Sequence, residues 1–321
     1  MVVMQGTVVW NDLCVQDAAG RKRSALITDI DNTLYRAGHD GAVQAAWDLR
    51  ANATGTPYPI VAVTGADYDQ LVRGRLESKE LPLLDVLVTS VGTEIRYLMP
   101  DGTYEKDTEY GNLLKKTGYN RLIIISRLQT LLPQLRAAEG AEIDFQDAAA
   151  ETAYAKKPDP TFLPYKVGLH FFSKDDGKKM QERFRRELPH LKIVVCEEIH
   201  HNSSLKPGEK RKKYCLDIMP ATKADAANYL IKKLGLKQGV VAGDSGNDID
   251  MLLETPHSFV AVAVGGHKAE LQAALEEHKT AHRSPKPIFI DANDDRFAAQ
   301  TLLLFSEYLA GKGRQNSIKM I

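Results

Sequence analysis

The sequence predicts an α/β fold: a Rossmann-like parallel-sheet core with an inserted α+β cap domain. Three observations lead there. Short apolar runs alternate with amphipathic stretches in the first and last thirds of the chain. The alternation breaks down between residues 110 and 215. Two of the apolar runs lead straight into acidic residues. Strand, helix, strand in repetition is the pattern of a parallel sheet covered by helices.

The elements follow in chain order. "SALITDID" is an apolar run bounded by charge and reads as a buried strand. "AVQAAWDLRAN" reads as an amphipathic helix, and "PIVAVTG" as a second short buried strand stopped by glycine. "ADYDQLVRGRLES" is helical and "LDVLVTSVGT" is a third strand. "TEIRYLMPDGTYEKD" alternates around a Pro-Asp-Gly turn, which predicts a β-hairpin. "NRLIIISRLQTLLPQL" predicts a helix; "KVGLHFF" and "KIVVCEEI" predict strands around the charged helix "DGKKMQERFRREL". "HHNSSLKPGEKRKKY" reads as a polar, turn-rich connector and "CLDIMP" as a short strand. Alternation then returns with the helix "TKADAANYLIKKLG", the strand and acidic turn "GVVAGDSGND", the helix "DIDMLLET" and the strand "SFVAVAVGG". A last helix is expected over "RFAAQTLLLFSEYLAG". The expected division is a catalytic core over 1–109 and 216–321, split by a cap over 110–215.

Composition limits the function. The 321 residues suit two domains better than one. Basic and acidic residues balance at 42 each, so a polyanion-binding surface over the whole molecule is not indicated. Residues 110–215 hold 20 basic and 13 acidic residues, a net of +7, and the remainder holds 22 and 29, a net of −7. The basic middle is either solvated helix faces or a means of attracting an anion. The run "KRKK", residues 210–213, lacks interleaved aromatics and reads as a solvated loop rather than a nucleic-acid site. Cys14, Cys196 and Cys215 form neither a metal pattern nor a disulfide framework, which fits a reducing cytoplasm. No signal-peptide pattern and no membrane-crossing apolar stretch is found in the sequence.

Acids at strand ends carry the chemistry. Ligands of parallel sheets bind beyond the carboxyl ends of the strands. "TDID" and "GDSGND" place Asp29, Asp31, Asp244 and Asp248 at such ends. Four carboxylates together repel unless a cation or protons neutralise them, and hard oxygen donors favour Mg²⁺. A helix N-cap is the ordinary role of a lone strand-end Asp, and for Asp248 it competes evenly. Thr64 offers a hydroxyl, and Gly65 a closely approachable backbone N–H. Lys223 stands at a helix start, where a cation opposes the helix dipole, so an anion is expected there. Such a set suits phosphoryl transfer: one Asp as covalent nucleophile, another as proton donor and acceptor.

The motifs "DIDNT", "VTG", "TK" and "GDSGND", in that order, resemble those of the haloacid dehalogenase-like phosphohydrolases. An insertion between the second and third resembles the subfamily with a large α+β cap. "DIDNT", "SVGTEIRY", "PYKVGLHFF" and "LDIMP" resemble the sucrose-phosphate phosphatase group. The resemblance implies Asp29 as nucleophile, Asp31 as general acid/base, and Thr64 with Lys223 holding the phosphate. It implies Mg²⁺ on the Asp29 carboxylate, the Asp31 backbone carbonyl and Asp244. Asp248 would join the metal site or, with Asn247, orient phosphate, Lys223 or metal-bound water. Gly65 would bind substrate, and Lys166 in the cap would be a sugar contact or, more simply, a solvated edge-strand lysine. The chain departs from the family's T-G-R in having Ala66, and from its D-L-D in having Cys215. The expected activity is that of a Mg²⁺-dependent, cytoplasmic sugar phosphatase, with sucrose 6-phosphate as a candidate substrate and no nucleic-acid or membrane partner. The alternatives are a general metabolite phosphatase, a mannosyl-phosphoglycerate phosphatase and a sugar-phosphate-binding regulator.

Overall fold

A computed structural model describes residues 24–35, 59–128, 130, 143–145, 165–171, 173–200, 211–256, 258–264, 269–281 and 288–289. The helices expected over 42–52 and 296–311 lie outside these residues. The chain divides into two compact units, one of Met1–Asp107 with Lys223–Ile321 and one of Thr108–Thr222.

The first unit is built on an eight-stranded sheet. Its strands are β1 (Ser24–Asp29), β2 (Ile60–Val63), β3 (Val86–Thr89), β4 (Glu94–Leu98), β5 (Tyr104–Lys106), β10 (Gln238–Gly243), β11 (Phe259–Ala263) and β12 (Ile288–Phe289). The order is β12-β11-β10-β1-β2-β3-β4-β5. The first six are mutually parallel, and the hairpin β4–β5 extends the sheet antiparallel. The described residues of β1 and β2 are buried throughout, as expected of near-continuous apolar strands covered on both faces. Leu26, Ile60, Leu87, Val240 and Val262 from five adjacent strands share one buried cluster. β12 and a helix at Ala269–Ala281 lie in a long, charged segment to which the sequence assigns no element.

The helix expected over 66–78 is not uniform. An α-helical turn, α1 (Tyr68–Leu71), passes into a wider π-helical turn over Val72–Leu76. There the Glu77 N–H donates to the Val72 carbonyl at 2.8 Å, five residues back.

The second unit carries an antiparallel sheet in the order β6-β7-β9-β8. These are Ile143–Phe145, Val167–Phe171, Arg211–Met219 and Lys192–His200 for β6, β7, β9 and β8. α2 (Thr108–Lys115), a helical stretch over 121–128, α3, and α4 (Lys174–Glu187) accompany them. Met180 and Phe184 of α4 join Leu169, Phe171, Ile193 and Leu216 of the sheet in one core. α4 has the terminal charges a helix dipole favours: Asp175 and Asp176 in its first turn, Arg185 and Arg186 in its last.

Two local expectations are corrected here. Of "KRKK", Arg211, Lys212 and Lys213 are strand rather than loop: they open β9, in register with His200, Ile199 and Glu198 of β8, and position 210 lies outside the described residues. Cross-strand pairing overrides the polar composition there. β9 is therefore nine residues long rather than a short strand, and the second unit includes all of it.

Candidate active site

The sheet order creates the site. β1 is central, and the chain proceeds from it toward β2 and β3 on one side and β10 to β12 on the other. In such sheets ligands bind where the order reverses, beyond the carboxyl ends of the strands. Asp29 ends β1, Thr64 follows β2, and Asp244 follows β10. The parallel registers of β1 with β2 and with β10 bring all three to one edge.

Lys223 is the first residue of α5 (Lys223–Lys233) and is only 1% exposed. Its Nζ donates to Asp29 Oδ1 at 2.6 Å and to Asp248 Oδ1 at 2.7 Å. A lysine misplaced on the helix dipole is thus compensated by two buried carboxylates. Asp248 divides its oxygens. Oδ1 holds Lys223, while Oδ2 accepts the backbone N–H groups of Asp244 and Ser245, both at 3.1 Å, and the Ser245 hydroxyl at 3.2 Å. Asp248 is therefore not the N-cap expected: Ser245 takes that place, and Asp248, three residues on, closes a capping box while it also holds Lys223. The Ser245 hydroxyl shares its one proton between Asp248 Oδ2 and Asn247 Oδ1, the latter nearer at 2.8 Å.

This turn depends on Gly243. A Cβ there would stand 2.6 Å from Asp248 Cβ and Cγ. Any larger residue would displace the carboxylate that holds Lys223. The sequence reading missed Gly243, although its place directly before an acidic turn was a usable signal.

Thr64 is fully buried and receives the Ala66 N–H on its hydroxyl at 3.1 Å. Its loop is held by the turn after β3: Val91 N–H donates to the Thr64 carbonyl at 3.0 Å and Ser90 N–H to the Ala66 carbonyl at 2.8 Å. Ser90 and Val91 both have positive φ, at 52° and 60°. Left-handed backbone at a β-branched residue costs free energy, and here it anchors the loop beside the site. Nothing in the sequence signals it. A Cβ on Gly65 would meet Asn247 Nδ2 at 3.9 Å, an ordinary contact. The two positions are therefore adjacent, and no steric demand forces glycine.

Asp29, Asp244 and Asp248 each present a carboxylate oxygen within 4.8 Å of the others, and all three are buried. Against them stands Lys223. Three carboxylates and one ammonium leave two negative charges, which a divalent cation would balance. The donors are hard oxygens, as Mg²⁺ requires. Burial pushes the Asp29 carboxyl up to about 7, against the opposing pull of Lys223. Burial alone would lower Lys223, but the charges of Asp248 and Asp29 outweigh it and hold the ammonium well above its usual range.

Asp31 stands apart from this group. Its carboxylate is 45% exposed and pairs with the Arg75 guanidinium. Arg75 was not singled out from the sequence. In the second unit, Lys166 is buried and its Nζ pairs with Asp217 at 3.2 Å. The solvated edge-strand reading is thereby corrected, since β7 is an interior strand and Lys166 immediately precedes it.

The chain is similar to known proteins. The family model described as sucrose-6F-phosphate phosphohydrolase matches residues 22–143 and 209–292. The comparison with curated proteins gave no match. Among solved structures, the sucrose-phosphatase of Synechocystis sp., solved in complex with sucrose and phosphate, is similar with a TM-score of 0.61 and 20% identity, over 89% of this chain and 99% of that one. A haloacid dehalogenase-like hydrolase from Bacillus subtilis has a TM-score of 0.49 and 14% identity, over 88% and 95%. A haloalkanoate-superfamily phosphatase from Bacteroides thetaiotaomicron has a TM-score of 0.48 and 13% identity, over 91% and 98%. Since the family model covers more than half of the residues, the chain belongs to the sucrose-6F-phosphate phosphohydrolase family and is a phosphoric monoester hydrolase.

Proposed function

We propose that the protein is a Mg²⁺-dependent phosphatase that hydrolyses a small phosphorylated sugar through an aspartyl-phosphate on Asp29. One observation carries this reading: a buried ammonium, Lys223, bridges Asp29 and Asp248 with Asp244 alongside. The family's description supports a phosphorylated sugar and makes sucrose 6-phosphate the first substrate to test.

Asp29 attacks phosphorus with Oδ2, which has only a long contact from the Thr33 hydroxyl at 3.4 Å, while Lys223 holds Oδ1 at 2.6 Å. The bond from phosphorus to the leaving oxygen breaks, and Asp31 gives that oxygen a proton. Water then attacks the aspartyl-phosphate, Asp31 takes its proton, and the bond to Asp29 breaks to release phosphate. Lys223, Thr64 and the Gly65 N–H hold the phosphoryl oxygens, and Asn247 borders the same space. Asp29, Asp244 and the Asp31 backbone carbonyl would hold Mg²⁺, which supplies charge neutralisation when bound. Asp248 has both oxygens engaged, so its part is to orient Lys223 and the turn. Discrimination among sugars falls to the second unit. For Lys166 to contact a sugar, it would exchange Asp217 for a sugar hydroxyl.

Proton and cation would compete for Asp29. The carboxylate is the reactive form and the metal ligand, and it is lost as pH falls through about 7. The Mg²⁺ concentration for half-maximal activity should therefore rise as pH drops below neutrality, by close to tenfold per pH unit well below the pKa. Titrating activity with Mg²⁺ at several pH values checks this; a constant requirement would contradict it.

The reading itself is tested by assaying phosphorylated sugars and metabolites, including sucrose 6-phosphate and mannosyl-phosphoglycerate, with Mg²⁺ and with chelator. Turnover of a sugar phosphate that chelator abolishes and Mg²⁺ restores is expected. Phosphate-ester binding without turnover would favour the regulator instead.

A further inference from the structure

Arg75 lies far from "DIDNT" in sequence, yet its guanidinium donates to Asp31 Oδ1. The contact is built from both sides. On one side the chain turns tightly after Asp29. The Ile30 carbonyl accepts the N–H groups of Thr33, Leu34 and Tyr35, and the Asn32 N–H donates to the Tyr35 carbonyl at 2.7 Å. Asn32 takes the left-handed conformation this turn requires, with φ at 59°. Tyr35 thereby returns beside Asp31. On the other side, Arg75 belongs to the π-helical turn over Val72–Leu76. In a uniform α-helix, position 75 would follow Leu71 by four residues on the same face. Leu71 is 1% exposed in the sheet core. Within the wider turn the Arg75 side chain is 21% exposed, lies over Tyr35 and reaches Asp31.

Both sides then lock together. The Arg75 guanidinium lies 4.9 Å from the centroid of the Tyr35 ring. The Tyr35 hydroxyl donates to Glu80 Oε2 at 2.6 Å, and the Glu80 N–H donates to the Arg75 carbonyl at 2.9 Å. Asp31, Arg75, Glu80 and Tyr35 form a closed ring of contacts. Stability alone does not account for it. The Asp31 end of the pair is 45% exposed, which limits what the contact adds to stability, and π-helical turns occur frequently at functional sites. Arg75 Nη1 is buried with no hydrogen-bond partner among the described residues, so that end of the guanidinium does not hold the fold.

The direction of the contact has a chemical meaning. In-line phosphoryl transfer puts the attacking and leaving oxygens on opposite sides of phosphorus. Asp29 attacks from the buried floor, so a proton donor for the leaving oxygen must stand on the outward side. Asp31 lies outside the buried group of Asp29, Asp244 and Asp248, half exposed, and Arg75 holds it there.

We propose that Arg75 is the positioning residue of Asp31, fixing its carboxyl group on the leaving-group side of the site, where the protonated form donates to the leaving oxygen. The proposal rests on the reading of Asp31 as proton donor. Its test separates the two claims. Phenyl phosphate and p-nitrophenyl phosphate differ chiefly in how much the leaving oxygen needs a proton. Their kcat/KM values report steps only through formation of the aspartyl-phosphate. In Arg75→Gln the ratio of kcat/KM for p-nitrophenyl phosphate to that for phenyl phosphate should rise about tenfold or more, and Arg75→Lys should recover part of the loss. Asp31→Asn should raise the ratio further, and Arg75→Gln should add nothing in the Asp31→Asn background. If Asp31→Asn leaves the ratio unchanged, the proton-donor reading fails and Arg75 falls with it. If Asp31→Asn raises it but Arg75→Gln lowers both esters equally, or the two effects add, only the Arg75 proposal is overturned. A ratio measured within each variant is insensitive to partial misfolding.

Discussion

Asp29→Asn is expected to lower turnover by at least about a thousandfold while the protein stays folded. The substitution keeps the side-chain shape and an oxygen that can still accept from Lys223. It removes the negative charge and the attacking oxygen. Little else at the edge of β1 can take over, because Asp248 spends both oxygens on Lys223 and on the turn. Asp31 turns outward to Arg75. The check is single-turnover hydrolysis by the purified variant, with circular dichroism confirming the fold. Near-normal turnover would remove Asp29 from the nucleophile's role.

Lys223→Ala should have a second large effect, and a different one. It leaves Asp29 and Asp248 buried beside each other without their shared cation. Breaking a buried ion pair by removing one partner typically costs about 3–5 kcal/mol, so the melting temperature should drop clearly. Activity should fall for sugar phosphate and p-nitrophenyl phosphate alike, since both carry the phosphoryl group the lysine holds. Added Mg²⁺ should recover part of the stability, by neutralising the same carboxylates, but not the activity. Thermal melts with and without Mg²⁺, paired with both assays, read this out. A variant that melts like the parent, or that loses only the sugar substrate, would contradict the account.

Much of the core was legible in the sequence because its signals are local. Apolar runs such as "ALIT" and "IVAV" have the length and composition of buried strands, and acids at their ends mark a carboxyl edge. Lys223 was legible through a local conflict, a cation at a helix start, which the acids on neighbouring strands resolve. What stayed hidden depends on contacts distant in sequence or on unusual backbone. The Asp31–Arg75 contact spans 44 positions and is made from a π-helical turn. The positive φ of Val91 has no sequence signature, because nothing about valine favours it. Arg211 to Lys213 looked like a loop in composition, and only the ladder with β8 makes them strand. Lys166 looked solvated because Asp217, its partner, lies on the neighbouring strand β9.

The central claim is that phosphoryl transfer passes through Asp29. Rapid acid quench of the enzyme with a ³²P-labelled phosphate ester, followed by peptide mapping, tests it most directly. Label is predicted on the peptide containing Asp29, stable in acid, released by hydroxylamine, and absent from Asp29→Asn. A quench that shows full turnover with no labelled enzyme, or with label on any other residue, would contradict the account.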